Sequence, residues 1–153
     1  MTNRNFAASR LINPLGSSPV LTEAQVWAGL GIKARNPQSF VAAITSCEVI
    51  SDDGHKIVRS VSFGGTNPVT EEIELHEGTI AYFEMSSTGV RITNIVSYNF
   101  DGDLVLTFSF ANGIPGFSPE QPLPDVEALN KAIGGGVEHT IKRLRELAQE
   151  GTI

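Results

Sequence analysis

Apolar and polar positions alternate with a period of two through six consecutive runs, 46–52, 55–63, 69–76, 79–85, 90–100 and 103–111. The pattern then changes to helical spacing over 125–149, where Val126, Leu129, Ile133, Val137, Ile141, Leu144 and Leu147 recur every three or four residues. A weaker alternation over 5–13 ends at Pro14, which offers no ladder donor, and predicts a leading strand. Thr22 followed three residues later by Gln25 is a capping-box pair, and Val26, Trp27, Leu30 and Ala34 continue a first helix. Asn36-Pro37 breaks it and starts a second short helix through Phe40, Val41 and Ile44. This order predicts one α+β domain over 1–153. A seven-stranded curved antiparallel sheet wraps a long C-terminal helix, with two short helices after strand 1. Such a sheet encloses a pocket.

Short connections imply antiparallel neighbours throughout. With Asp53-Gly54, Glu77-Gly78 and Asp101-Gly102 as two-residue turns, the strand registers follow. Ile50 faces Ile57, Glu48 faces Arg59, Val61 faces Glu71, Leu75 faces Ile80, Glu71 faces Glu84, Glu84 faces Arg91, and Ile95 faces Phe108. Alternation then gathers Phe63, Ile73, Tyr82, Ile95, Phe108 and Phe110 on one apolar face, opposed across an internal space by Ile133, Val137 and Ile141 of the long helix. These nine residues are the expected ligand-binding set. Phe83, Met85, Ile92, Val96 and Tyr98 fall on the other side, and a slip of one residue would exchange the faces. Gly134-Gly135-Gly136 predicts a kink, or a bare patch where a bulky group lies near the backbone. The proline-rich segment 113–125 is a loop, either a lid over the cavity or a plain connector.

In these registers Glu48, Arg59, Glu71, Glu84 and Arg91 form a charged row on the apolar face. Glu48–Arg59 and Glu84–Arg91 are cross-strand pairs, and Glu71 is left opposite Glu84. Two close carboxylates raise one pKa, which makes a usable general acid or base. The row is the only catalytic candidate. The competing reading, a salt-bridge network at a water-filled end of the sheet, is the stronger of the two, because structural ion pairs also perturb pKa values.

Other chemistry is poorly supported. The three histidines, His55, His76 and His139, share no metal-ligand spacing, so no metal is expected. The glycine clusters match no phosphate loop, and no cofactor is expected. Cys47 is alone and reads as a small core residue. The net charge of −6, with basic residues scattered apart from Lys142, Arg143 and Arg145 on the last helix, argues against nucleic acid. No run is apolar enough for a membrane span, and the leading segment MTNRNFAASR lacks the apolar core of a signal peptide, so a cytoplasmic location is expected. The charged fraction, 18%, is lower than the ~25% usual for soluble domains, which fits apolar surface around a cavity or simply a less charged exterior.

The stretches LTEAQVWAGLGIKARNPQSFVAAITSCEVI and GVRITNIVSYNFDGDLVLTFSF, with the ending EGTI, resemble the AtaL-like family. That family falls in the START-like (SRPBCC) superfamily of helix-grip proteins, with the birch-pollen-allergen-like proteins and aromatic polyketide cyclases. The resemblance spans about residues 9–153 and implies the helix-grip fold. It transfers no catalytic residue. The expected activity is binding of a hydrophobic or aromatic small molecule, polyketide-like or another secondary metabolite. The alternative is a cofactor-independent cyclase, dehydratase or isomerase using carboxylate acid–base chemistry.

Overall fold

The computed structural model describes residues 4–153; residues 1–3, part of the leading segment read above for a signal peptide, lie outside the described residues. Strand β1 is Phe6–Leu11 and helix α1 is Glu23–Arg35. The Thr22 hydroxyl accepts from the Gln25 N–H at 3.2 Å, and the Gln25 side chain accepts from the Thr22 N–H at 3.0 Å, completing the expected capping box. Strands β2 (Ile44–Asp52), β3 (Lys56–Phe63), β4 (Val69–His76), β5 (Ile80–Met85), β6 (Val90–Tyr98) and β7 (Leu104–Ala111) follow, then helix α2 (Val126–Gln149). All seven strands form one antiparallel sheet in the order β1-β7-β6-β5-β4-β3-β2. Its concave side holds α2 against β1 and β7. Among the described residues no helix is long and apolar enough to cross a membrane.

The second short helix is reduced to a 3-10 turn, Pro37–Ser39. Beyond it the chain enters β2 at Ile44, where Ile, Thr and Val favour extended backbone.

Three connections close differently from the two-residue turns expected. Between β4 and β5 the loop has three residues, because Thr79 N–H bonds the His76 carbonyl and His76 pairs with Ile80. Gly78, at φ 88°, supplies the left-handed position that such a loop needs. Between β6 and β7 the Asn99 carboxamide accepts from the Asp101 and Asp103 N–H groups at 3.0 and 2.9 Å. This side-chain turn starts the loop one residue early and pairs Tyr98 with Leu104. Between β2 and β3, Asp53 accepts from the His55 and Lys56 N–H groups, and irregularities at 44/46 and 49/51 move the register further. The first slip turns β5 and β6 over; the second restores β7. The concave face therefore carries Phe83, Met85, Ile92 and Val96, whereas Tyr82, Glu84, Arg91 and Ile95 lie on the convex face. The β3–β4 pairing differs from expectation by two residues, Val61 opposite Val69, so the faces there are unchanged.

Helix α2 starts at Asp125, whose carboxylate accepts from the Ala128 N–H at 2.9 Å, and runs through its three glycines without a break. The bare patch, not the kink, is the outcome. A Cβ at Gly134 would fall 1.7 Å from Arg10 Nη2, which donates to the Asn130 carbonyl at 2.9 Å. Helix α1 packs against α2 at Gly29, where a Cβ would meet Leu144 Cδ2 at 2.0 Å. Gly135 has no neighbour within 4 Å of an added Cβ. Gly135→Ala is therefore expected to stabilise the protein by about 0.5–1 kcal/mol, the helical cost of glycine. A urea unfolding midpoint that stays in place or falls would contradict this.

Candidate functional site

The concave sheet face, α2 and the segment 40–44 enclose a cavity of about 370 Å³. That lies in the range of small-molecule pockets. Phe83 and Met85 of β5, Ile92 of β6, and Phe108 and Phe110 of β7 make one wall, with Phe63 at the end of β3. Helix α2 faces them with Ala132, Ile133, Gly136, His139 and Thr140. His139 is exposed and stands at the mouth. The proline-rich loop contributes Pro115 to the lining, while Ile114, Phe117 and Leu123 anchor the loop against Ala8, Leu129 and Ile133.

Four buried polar side chains line the remaining wall: Lys33, Arg59, Glu71 and Asn94. Arg59 and Glu71 are opposite one another across β3 and β4, and Arg59 Nη2 lies 3.3 Å from Glu71 Oε1. Arg59 Nη1 also donates to the Ala34 and Lys33 carbonyls at 2.8 and 3.2 Å. These belong to the last turn of α1, where a cation is favoured by the helix dipole. Lys33 Nζ donates to Asn94 Oδ1 at 2.7 Å and lies 4.1 Å from the centre of the Phe108 ring. Burial and the neighbouring Arg59 charge lower the Lys33 amine from 10.5 to about 7, with the Glu71 carboxylate opposing them. Two buried donors, Arg59 Nε and Asn94 Nδ2, have no hydrogen-bond partner.

The expected ligand set divides. Phe63, Phe108, Phe110 and Ile133 line the cavity. Ile73, Val137 and Ile141 are buried in the core beside it, so a charge placed at Ile141 would disrupt packing rather than probe the cavity. Tyr82 and Ile95 sit on the convex face, where the Tyr82 ring meets His76.

The expected charged row is not continuous. Glu48 is opposite Ser60, points outward and is exposed. Glu84 and Arg91 do pair, at 3.2 Å, but on the convex side with about half of each side chain in water. Glu84 is opposite Glu72, not Glu71. Arg59 therefore bridges Glu71 rather than Glu48, and Glu71 is the compensated acid. Cys47 is half-buried near α1, with its thiol pKa pushed up by burial, which suits a packing residue. Among the described residues no group of His, Cys, Asp and Glu is placed to hold a metal ion.

Lys33 and Asn94 line the cavity but lie outside the expected set. Lys33 follows Val26 and Leu30 at intervals of four and three, on the apolar stripe of α1, a position that marks a buried lysine. Asn94 alternates with Ile92 and Val96, so the correct register of β6 would have revealed it.

A wider groove of about 770 Å³ lies outside the grip, by Trp27, Arg35, His55 and His76. It is open to solvent and holds none of the buried polar cluster.

The family model "Acetylaranotin biosynthesis cluster protein L" (AtaL) matches residues 6–151. No curated protein matches the chain. Among solved structures, Ara h 8.0201 is similar with a TM-score of 0.53 at 15% identity, over 94% of this chain and 98% of that one. The solution structure of KanY gives 0.59 at 12% identity, over 97% and 99%. StfQ, a di-domain ARO/CYC from the steffimycin biosynthetic pathway, gives 0.64 at 8% identity, over 97% of this chain and 52% of its own. All three are helix-grip proteins, and the architecture described above is theirs. With its family model matched almost from end to end, the chain belongs to the AtaL family.

Proposed function

We propose that this protein binds a hydrophobic or aromatic small molecule bearing oxygen acceptors, of the polyketide kind, in the enclosed cavity. The observation that carries this reading is the pairing of an aromatic wall with two unpartnered buried donors, Arg59 Nε and Asn94 Nδ2. A buried donor without a partner costs about 1–3 kcal/mol, which a ligand carbonyl or phenol oxygen would offset. Membership of a biosynthesis-cluster family, and a fold shared with an ARO/CYC protein, support a secondary metabolite as the ligand.

Gly136 allows a direct test. It lines the cavity, and a Cβ there meets nothing within 4 Å. Gly136→Phe should therefore fill the cavity while leaving α2 intact. Anilinonaphthalene sulfonate fluorescence is expected to show dye affinity reduced at least about tenfold, equivalent to ~1.4 kcal/mol. Unchanged affinity in a folded variant would refute the cavity as the binding site.

The cyclase, dehydratase or isomerase reading is favoured by one observation: the Arg59–Glu71 pair lines the same cavity. In that version Glu71 moves the proton and Arg59 holds a developing oxyanion; Glu48, Glu84 and Arg91 take no part. Incubation with an aryl triketone separates the two. Recovery of the triketone unchanged supports binding alone, whereas loss of water faster than in buffer supports the cyclase.

A further inference from the structure

We propose that Lys33 captures its ligand covalently, its amine condensing with a ketone or aldehyde carbonyl in the cavity to form an imine. This rests on the ligand reading above and narrows it to carbonyl compounds with an aromatic or extended apolar body.

Three features place the chemistry at this residue. Lys33 comes from the last turn of α1, is 7% exposed, and lines the cavity, so the amine is sheltered from bulk water but reachable by a ligand. Among the described residues no carboxylate lies within ion-pair distance of it, because Glu71 is engaged by Arg59. The adjacent guanidinium further disfavours the ammonium form, and the amine titrates at about 7. The third feature is Asn94, itself fully buried. Its Oδ1 holds the Lys33 nitrogen at 2.7 Å, while its Nδ2 has no partner. One carboxamide thus orients the nucleophile and presents a free donor beside it. A ligand carbonyl whose oxygen accepts from Nδ2 has its carbon directed at Nζ.

The step balances within these groups. The Lys33 lone pair attacks the carbonyl carbon, a C–N bond forms, and the C=O π pair moves to oxygen. Both amine protons finally reside on that oxygen, which departs as water when the C=N bond closes. No oxidant, reductant or cofactor is consumed. The imine, once it takes up a proton from solvent, would acidify neighbouring C–H bonds, the activation that ring closure of a polycarbonyl chain requires.

The test is reductive trapping on the full chain with naphthaldehyde and sodium cyanoborohydride near neutral pH, followed by peptide mapping of Lys33, Lys56, Lys131 and Lys142. A lysine titrating near 7 has on the order of a thousandfold more free amine at neutral pH than an ordinary lysine. Shielding in the cavity reduces that advantage, and labelling of Lys33 at least about tenfold faster than any other lysine is expected. Lys33→Met should abolish the fast label. Gly136→Phe, which leaves Lys33 in place but fills its access, should slow it by about tenfold, in step with its loss of dye binding. Uniform labelling of all four lysines, or an unmodified Lys33 in protein that still binds the dye, overturns the covalent proposal and leaves the ligand reading standing. Failure of wild-type protein to bind dye at all overturns both.

Discussion

Arg59→Ala is expected to lower folding stability by about 3–5 kcal/mol, the loss typical of breaking a buried ion pair from one side. The Arg59 side chain is nearly inaccessible, and both terminal guanidinium nitrogens are held, Nη2 by Glu71 at 3.3 Å and Nη1 by the Ala34 carbonyl at 2.8 Å. Alanine there would leave the Glu71 carboxylate, 1% exposed, without its cation. The last-turn carbonyls of α1 would also lose their donor. The double replacement Arg59→Met with Glu71→Leu should recover most of the loss, because an apolar pair of similar volume avoids desolvating two charges. Urea unfolding of the three variants measures both effects. A single-variant loss under about 1 kcal/mol, the scale of a surface pair, would show that the pair is effectively solvated.

The location of Arg59 illustrates what the sequence made legible. Strands, helices and their order follow from periodicity because burial on one side of a strand or helix imposes a repeat of two or 3.6 residues. Pairing order from β2 to β7 also follows, since short connections permit only antiparallel neighbours, whereas the place of β1 beside β7 does not, because no short connection joins them. Face assignment is another matter, as it depends on turn length to the single residue. Asn99 captures two N–H groups and Gly78 accepts a left-handed conformation, so two connections take three residues in place of two. Each choice is a local hydrogen-bonding competition that alternation does not register. Between these two turns lie β5 and β6, which hold four of the five misplaced residues, Tyr82, Glu84, Arg91 and Ile95; the fifth, Glu48, is turned outward by the changed β2–β3 register. Residues of β3, β4 and β7 escaped because their registers erred by two or by compensating slips.

The polar cluster was only half legible for a related reason. Arg59 and Glu71 announce themselves as charges at inward positions of apolar strands, even with the wrong partner assigned. Lys33 shares the apolar stripe of α1 with Val26 and Leu30, but its place in the last helical turn, where cations are favoured on any surface, masks that signal. Only the packing of α1 against the open side of the sheet converts it to a buried amine.

That burial leads to the second large effect, on pH dependence. The unfolded chain holds the Lys33 proton up to 10.5, whereas the folded chain releases it at about 7. Between these values the unfolded state binds more protons, so the Lys33 contribution to stability rises with pH, and below about 7 it is flat at its least favourable value. The groups facing the amine are Arg59 from β3, Glu71 from β4 and, across the cavity, His139 from α2. Lys33→Met retains the apolar stem and removes the titrating nitrogen, and the same other groups remain in both proteins. The stability of wild type relative to Lys33→Met should therefore increase by about 3 kcal/mol from roughly pH 6.5 to roughly pH 9.5. At the acidic end the variant gains by removing a buried charge and loses by leaving Asn94 Oδ1 unpaired, about 1–3 kcal/mol, so the slope rather than the offset is diagnostic. Denaturant unfolding of the two proteins across this window gives the difference directly. A difference that stays constant with pH would mean that the Lys33 amine keeps its proton in the folded protein, and the cavity would then offer its ligand an ammonium in place of a nucleophile.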